Sequence, residues 1–368
     1  MANQMLSAYY DKHGSYENIK FGEFPIPEIN ENEVLVKVKA FSLNHLDIWI
    51  MEGKYPIKIP MPHIFASDCS GVVAKVGKAV KHIKEGDKVI VYPGLSCGVC
   101  EKCLSGKDNE CDNFHILGVL ENGVSAEYVK APAVNVFPLP EGLSFEEGAS
   151  IGITYTTMWH SLITRGKTKA GDTVLIHGGG SGVGTAGIQI AKLYNATVIT
   201  TVGDDWKIEK AKDIGADYVI NYNKEDFVEK IMEITDGKGC DVVVDHIGEA
   251  TFNKSIQITK RGGNLITFGA TTGGEPKINL RAIFGKNITI HGVYMGTKGE
   301  VKHYLKFFPN YLRPVIDSVF HFKDVKKAYE KLLSRQFFGK IVVTLEDTWI
   351  VNFYIVIMIK SITAKWRK

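Results

Sequence analysis

The sequence predicts an α/β chain in which a β-rich region precedes a doubly wound parallel sheet. Three observations predict it. A glycine cluster lies between two short apolar runs in Asp172 to Val202. Helix-like and strand-like periods then alternate to about residue 294, and short stretches of period-two alternation separated by turn residues come before them.

The stretch DTVLIHGGGSGVGTAGIQIAKLYNATVITTV organises the rest. Val174 to Ile176 read as a strand buried on both faces, because apolar residues run together there instead of alternating. Gly178, Gly179, Gly180, Gly182 and Gly184 allow a tight turn and let backbone N–H groups approach a ligand with no Cβ in the way. Ile188, Ile190, Ala191 and Leu193 give the next helix one apolar face, and Ala196 to Val202 supplies a second strand. The N-terminus of such a helix suits a pyrophosphate, so Gly179, Gly180, Ser181, Gly182, Val183 and Gly184 are the candidate cofactor-binding residues. The spacing is not the strict G-x-G-x-x-G, because Gly180 to Gly184 ends one residue early. On this motif alone, a glycine-rich turn without a nucleotide stays open.

At the tip of the second strand an NAD site usually places an acid for the ribose 2′-hydroxyl. Here Thr200, Thr201, Val202 and Gly203 occupy the tip, with Asp204 and Asp205 just beyond and Lys207 following. Nothing at the tip repels a 2′-phosphate, and Lys207 can pair with one. NADP(H) is therefore expected, with NAD(H) as the open alternative.

A chain of 368 residues, 45% apolar and 23% charged, can bury a large core and suits two domains. A formal net charge of +3 with no basic block gives no footprint for nucleic acid. The first twenty residues carry no basic segment followed by an apolar one, so no secretory signal is visible and a cytosolic protein is expected.

Residues 1 to about 155 read as β-rich: Val34 to Ala40 alternates, and Ser70 to Val76 and Lys88 to Tyr92 form further short strands. Within this region lies Cys97-x2-Cys100-x2-Cys103-x7-Cys111. Four closely spaced thiolates can wrap one ion tetrahedrally and leave no position open, which points to a structural zinc, with an iron–sulfur cluster as the rival. Cys69 and Cys240 read as core residues.

From 156 to 294 the expected order is helix 207–214, strand 218–220, helix 226–234, strand 241–245, helix 251–259, strand 264–268 and strand 288–293. From 295 to 345 a helix, a β segment at 314–321, a helix at 324–333 and Lys340 to Val343 return to the first domain. No internal repeat is present. The apolar core of the tail, Trp349 to Ile359, is shorter than the roughly 20 residues a bilayer span needs, so an added strand or covered surface segment is expected there and no membrane anchor, with a basic amphipathic contact with lipid as the open alternative.

Taken together, VLVKVKAFSLNHLDIW, SGVVAKVGKAVKHIKEGDKVI, the four-cysteine stretch, GGGSGVG and FGKIVV resemble the medium-chain dehydrogenase/reductase superfamily over residues 5 to 345. The resemblance implies a GroES-like domain, residues 1–155 with 295–345 and a zinc lobe at 97–111. A Rossmann domain at 156–294 follows, and the active site lies in the cleft between the two. The tail 346–368 departs from the family. A homodimer or homotetramer acting on a small-molecule substrate is expected.

That superfamily divides into zinc alcohol dehydrogenases and zinc-free quinone or enone reductases. Where the zinc enzymes carry Cys-x-x-Asp, this chain reads Asn44-His45-Leu46-Asp47; their Gly-His-Glu becomes Ala66-Ser67-Asp68; their third ligand falls at Ile153. Asn, Ser and Ile offer no soft ligand, so the resemblance implies hydride transfer to a quinone or an α,β-unsaturated carbonyl without a catalytic zinc. Asn44 is then the donor to the developing oxyanion, Tyr55 orients substrate or donates a proton, and Thr157 lies near the nicotinamide. Lys207 and Tyr222 surround the 2′-phosphate, Lys340 reaches the pyrophosphate, and Gly269 lets the nicotinamide approach. Two alternatives stand beside this reading. One is an alcohol dehydrogenase with a zinc site rebuilt from His45, His63, Asp68 or Cys69. The other is a nucleotide-binding protein without turnover.

Overall fold

The computed structural model describes residues 4–345; the strand or surface segment expected in the tail lies outside the described residues. Six parallel strands form one sheet in the spatial order Tyr218–Asn221, Thr197–Val202, Thr173–Ile176, Cys240–Val244, Thr259–Thr267, Thr289–Gly292. Thr173–Ile176 is central: Val174 pairs with Val198 on one side and Val242 on the other. Val174, Leu175 and Ile176 are all fully buried, which is why the run is apolar throughout. The pleat still divides them, because Val174 and Ile176 join the large core that reaches into the first domain while Leu175 packs in the cluster on the opposite face. Connections leave Thr173–Ile176 and Cys240–Val244 toward opposite edges of the sheet, so a crevice opens beyond their carboxyl ends.

The first domain is built on a mostly antiparallel sheet, in the order Val136–Pro138, Lys88–Val91, Asp68–Val76, Glu33–Ser42, Lys340–Thr344, Ile316–His321, with Tyr128–Pro132 also on Glu33–Ser42. Two registers place the site. Ser42 lies opposite Asp68, and Val342 lies opposite Ser42 in an antiparallel pair, which carried two residues further sets Lys340 against Asn44. Leu43 N–H donates to the Ile341 carbonyl at 3.0 Å and continues the ladder to that corner.

Several elements differ from expectation. A short helix, His45–Met51, interrupts the β-rich region, started by the Asp47 carboxylate accepting from the Asn44 N–H at 2.7 Å. The helix Gly152–Trp159 runs across residues 155 and 156 and widens into a further turn at His160–Arg165. Leu280–Lys286 is helical and was not expected, although Leu280, Ile283 and Phe284 stand at i, i+3 and i+4. The strand at 264–268 begins earlier, at Thr259, immediately after the helix Phe252–Ile258. Among the described residues no helix is long and apolar enough to cross a membrane.

Candidate active site

A cleft of about 360 Å³ lies between the two domains. On one wall the glycine turn leads into the helix Gly182–Leu193. Gly178 adopts φ +68°, and Ser181 caps the helix by accepting from Gly184 N–H at 3.0 Å while donating to the Gly178 carbonyl at 2.7 Å. Gly180, Ser181, Gly182 and Val183 line the cleft. A Cβ on Gly182 would meet the Lys340 stem at 2.6 Å, so only glycine leaves room at the helix N-terminus. Gly179 and Gly184 do not line the cleft: a Cβ on Gly179 would strike Thr200 and one on Gly184 would strike the Gly178 carbonyl. They allow close helix–strand packing, and Gly178 takes their place in the lining. The open cradle of N–H groups at the positive end of a twelve-residue helix fits a dinucleotide pyrophosphate.

Beyond the strand tip, Lys207 and Tyr222 both line the cleft. The Lys207 ammonium donates to the Arg335 carbonyl at 2.9 Å, sits 3.5 Å from Asp204 and lies over the Trp206 ring at 5.1 Å. Asp205 is turned to Asn221, at 2.7 Å, and to Lys224. Among the described residues no aspartate or glutamate lines the cleft. Arg335, missed in the sequence, adds a second cation: it closes the helix Val325–Ser334 at φ +57° and lines the cleft. Sequence offered no signal for it beyond its place five residues before Lys340.

At the opposite end three side chains meet at the sheet corner. Lys340 Nζ donates to Asn44 Oδ1 at 2.6 Å and to the Leu43 carbonyl at 3.0 Å, and stands 3.4 Å from Asp68 Oδ2. Asn44 Nδ2 donates to the same Asp68 oxygen at 2.9 Å, and the other Asp68 oxygen accepts from Ile153 N–H at 2.8 Å. Of the positions that correspond to the metal-binding motifs of the zinc enzymes, Asn44, Asp68 and Ile153 converge here as an amide, an ion-paired carboxylate and an isoleucine, and Ser67 beside Asp68 offers only a hydroxyl. This donor set does not fit a zinc ion. Lys340 lines the cleft with its stem against Gly182 of the glycine turn and its ammonium bonded into this corner.

The residues proposed for a rebuilt metal site do not assemble. His63 is buried and its Nε2–H donates to the Gly118 carbonyl at 2.9 Å. Cys69 is buried in a central strand, where desolvation pushes its thiol well above the ordinary range. His45 lines the cleft with its ring edge-on to Trp49 at 5.0 Å, and burial first, then the Arg335 cation, holds its pKa below the usual value.

The substrate end is aromatic and uncharged. Tyr55 OH lies 2.8 Å from Tyr294 OH, joining the two domains across the mouth, and Phe114 packs edge-on against Tyr294 at 5.5 Å. Trp49, Ile116 and Phe268 complete the lining. Thr157 lines the cleft and its hydroxyl points to Met295 Sδ at 3.6 Å, while Gly269 abuts the His246 carbonyl. His246 and Tyr294 carried no sequence signal, because their strands reach the cleft only through the fold.

Away from the cleft, the sulfurs of Cys97, Cys100, Cys103 and Cys111 lie within 4.8 Å of one another, with Cys97 3.6 Å from Cys111 and 3.9 Å from Cys103. Zinc with four thiolates at about 2.3 Å sets its sulfurs roughly 3.8 Å apart, so this cluster fits the ion. It is the one such group of metal-binding side chains among the described residues. Lys298 donates to Asp108 at 2.6 Å and Arg165 to Glu110 at 2.6 Å, pinning the lobe to the helices beside the cleft.

Residues 30–141 match the alcohol dehydrogenase GroES-like domain and residues 182–310 the zinc-binding dehydrogenase family. The fold superposes on the crystal structure of an NAD-dependent alcohol dehydrogenase with a TM-score of 0.90 at 39% identity, covering 93% of this chain and all of that one. A zinc-type alcohol dehydrogenase-like protein of Schizosaccharomyces pombe is 32% identical over 92% of this chain and 98% of its own length. The Homo sapiens quinone oxidoreductase is 30% identical over 84% of this chain and 87% of its own length.

Proposed function

Because the chain belongs to the medium-chain dehydrogenase/reductase superfamily, and is thereby an NAD(P)-dependent oxidoreductase, we propose that it reduces a quinone or an α,β-unsaturated carbonyl with NADPH and without a catalytic zinc. The observation that carries the reading is the corner of Asn44, Asp68 and Lys340, where a neutral amide and an ion pair stand in place of zinc ligands.

Bound at the glycine cradle, the nicotinamide cofactor supplies the hydride. The residues then divide the remaining work. Gly180, Ser181, Gly182 and Val183 hold the pyrophosphate; Lys207, Tyr222 and Arg335 take the 2′-phosphate; Thr157 and Gly269 border the ring. A carbon conjugated to a carbonyl is already electrophilic, so the protein has only to meet the charge that develops on oxygen, and Asn44 Nδ2–H is placed to do so. Tyr55 and Tyr294 close an apolar aromatic mouth that suits a flat uncharged substrate.

One structural zinc at Cys97, Cys100, Cys103 and Cys111 belongs to this reading, as does the division into residues 1–155 with 295–345 and 156–294. A homodimer or homotetramer is supported by the exposed edge strand Thr289–Gly292 and by Leu280 and Phe284, 64% and 71% exposed beside it. A cytosolic site rests on the four-cysteine cluster, whose thiolates a reducing compartment keeps available to a metal. The test is steady-state oxidation of NADPH with a simple quinone and an enone, against oxidation of a small alcohol by NADP+. Turnover confined to the alcohol would refute the reading.

A further inference from the structure

We propose that Lys340 and Asp68 are positioning residues that lock the Asn44 side-chain amide with its one remaining N–H toward the cleft, turning a neutral asparagine into a donor of fixed direction. The inference rests on the reductase reading above and names what makes its oxyanion site work.

An ammonium carries only donors and an ionised carboxylate only acceptors. Lys340 Nζ therefore demands the oxygen of Asn44, which it meets at 2.6 Å, and Asp68 demands the nitrogen, which it meets at 2.9 Å. Turning the amide over would set its nitrogen against the ammonium and its oxygen against the carboxylate, replacing two charge-assisted bonds with two repulsions. Water cannot relieve that conflict, because the Lys340 and Asp68 side chains are only 5% and 1% exposed. Neither partner is free to swing away: Ile153 N–H holds the second Asp68 oxygen at 2.8 Å, and the Leu43 carbonyl holds the ammonium at 3.0 Å.

At the helix start the Asp47 carboxylate takes the Asn44 main-chain N–H at 2.7 Å and the Asp47 N–H turns to the Asn44 carbonyl at 3.1 Å, so neither N–H of the side-chain amide is spent on the cap. The amide oxygen meets the ammonium and one of its two N–H groups meets the carboxylate, and Asn44 lines the cleft. The second N–H, polarised by the ammonium on its own carbonyl, is what a developing oxyanion meets.

The test uses holoenzyme loaded with NADP+ and 4-nitrophenol as a mimic of the oxyanion, its ionisation read by visible absorbance, alongside turnover of NADPH and quinone. Lys340→Met alone strands the Asp68 charge, so the double variant Lys340→Met with Asp68→Asn, neutral throughout, is compared with Lys340→Arg and Asn44→Ala. Wild type is expected to ionise the bound phenol at lower pH than free phenol. The double variant and Asn44→Ala should both lose that shift and about 100-fold in kcat. NADPH affinity should stay within about threefold, and Lys340→Arg should restore most of both readouts. A double variant that turns over and ionises the phenol like wild type overturns the inference and leaves the reductase reading standing. So does lost turnover with an unmoved phenol, the mark of a merely structural role. A wild-type protein that neither reduces a quinone or enone nor shifts the phenol overturns the reductase reading itself.

Discussion

The Lys207 ammonium donates to the main-chain carbonyl of Arg335 at 2.9 Å, so two cations from different domains flank the same edge of the cleft. Lys207 follows the second strand of the parallel sheet, whereas Arg335 ends a helix that packs on the first domain. A 2′-phosphate between them gains both charges, while a 2′-hydroxyl gains little from either. Arg335→Ala and Lys207→Ala should each weaken NADPH about tenfold or more, roughly 1.4 kcal/mol. NADH binding should hardly change. Fluorescence titration of the two cofactors measures this, and equal losses for both would remove the 2′-phosphate role.

Tyr55 and Tyr294 share one hydrogen bond across the mouth, so their contributions belong to a pair. Tyr55→Phe should lower kcat/KM for the quinone about three- to tenfold with NADPH affinity intact, and adding Tyr294→Phe should cost little more. Fully additive losses would show that the two hydroxyls act separately.

Asp47 is fully buried beneath Asn44, and desolvation pushes its carboxyl up to about 7 despite the N–H bond from Asn44. A raised acid binds its proton more tightly folded than unfolded. Its stabilising proton is held below pH 4, and the benefit is lost as pH climbs from about 4 to about 7. Asp47→Asn keeps an acceptor for the Asn44 N–H without the charge. Its Tm should match wild type near pH 4 and exceed it at pH 8, by no more than the order of 4 kcal/mol in stability. A variant less stable than wild type at pH 8 would place an ionised, well-paired Asp47 in the fold.

The sequence disclosed features whose chemistry is local. The glycine turn, the strand at Val174 to Ile176 and the four-cysteine lobe each depend on residues adjacent in the chain, and their types leave few other uses. Asn44 was legible as a site residue, but its partner was not: Lys340 lies 296 residues away and meets it only through the register of two antiparallel strands. From sequence, Lys340 was assigned to the pyrophosphate alone and this corner was missed, since a lysine's stem can border one site while its ammonium serves another. The packing of Gly179 and Gly184 was not legible, because a glycine needed for packing and one needed for ligand approach look alike in sequence. Arg335 and Tyr294 reach the cleft at the ends of elements that carry no motif.

Zinc content per chain after dialysis against a mild chelator, with NADPH oxidation by a quinone followed on the same sample, tests the central claim most directly. About one zinc per chain, held by the four cysteines, together with undiminished turnover is the predicted result. About two zincs per chain, with activity lost as the second is stripped, would contradict it and place a metal among side chains that here bond one another.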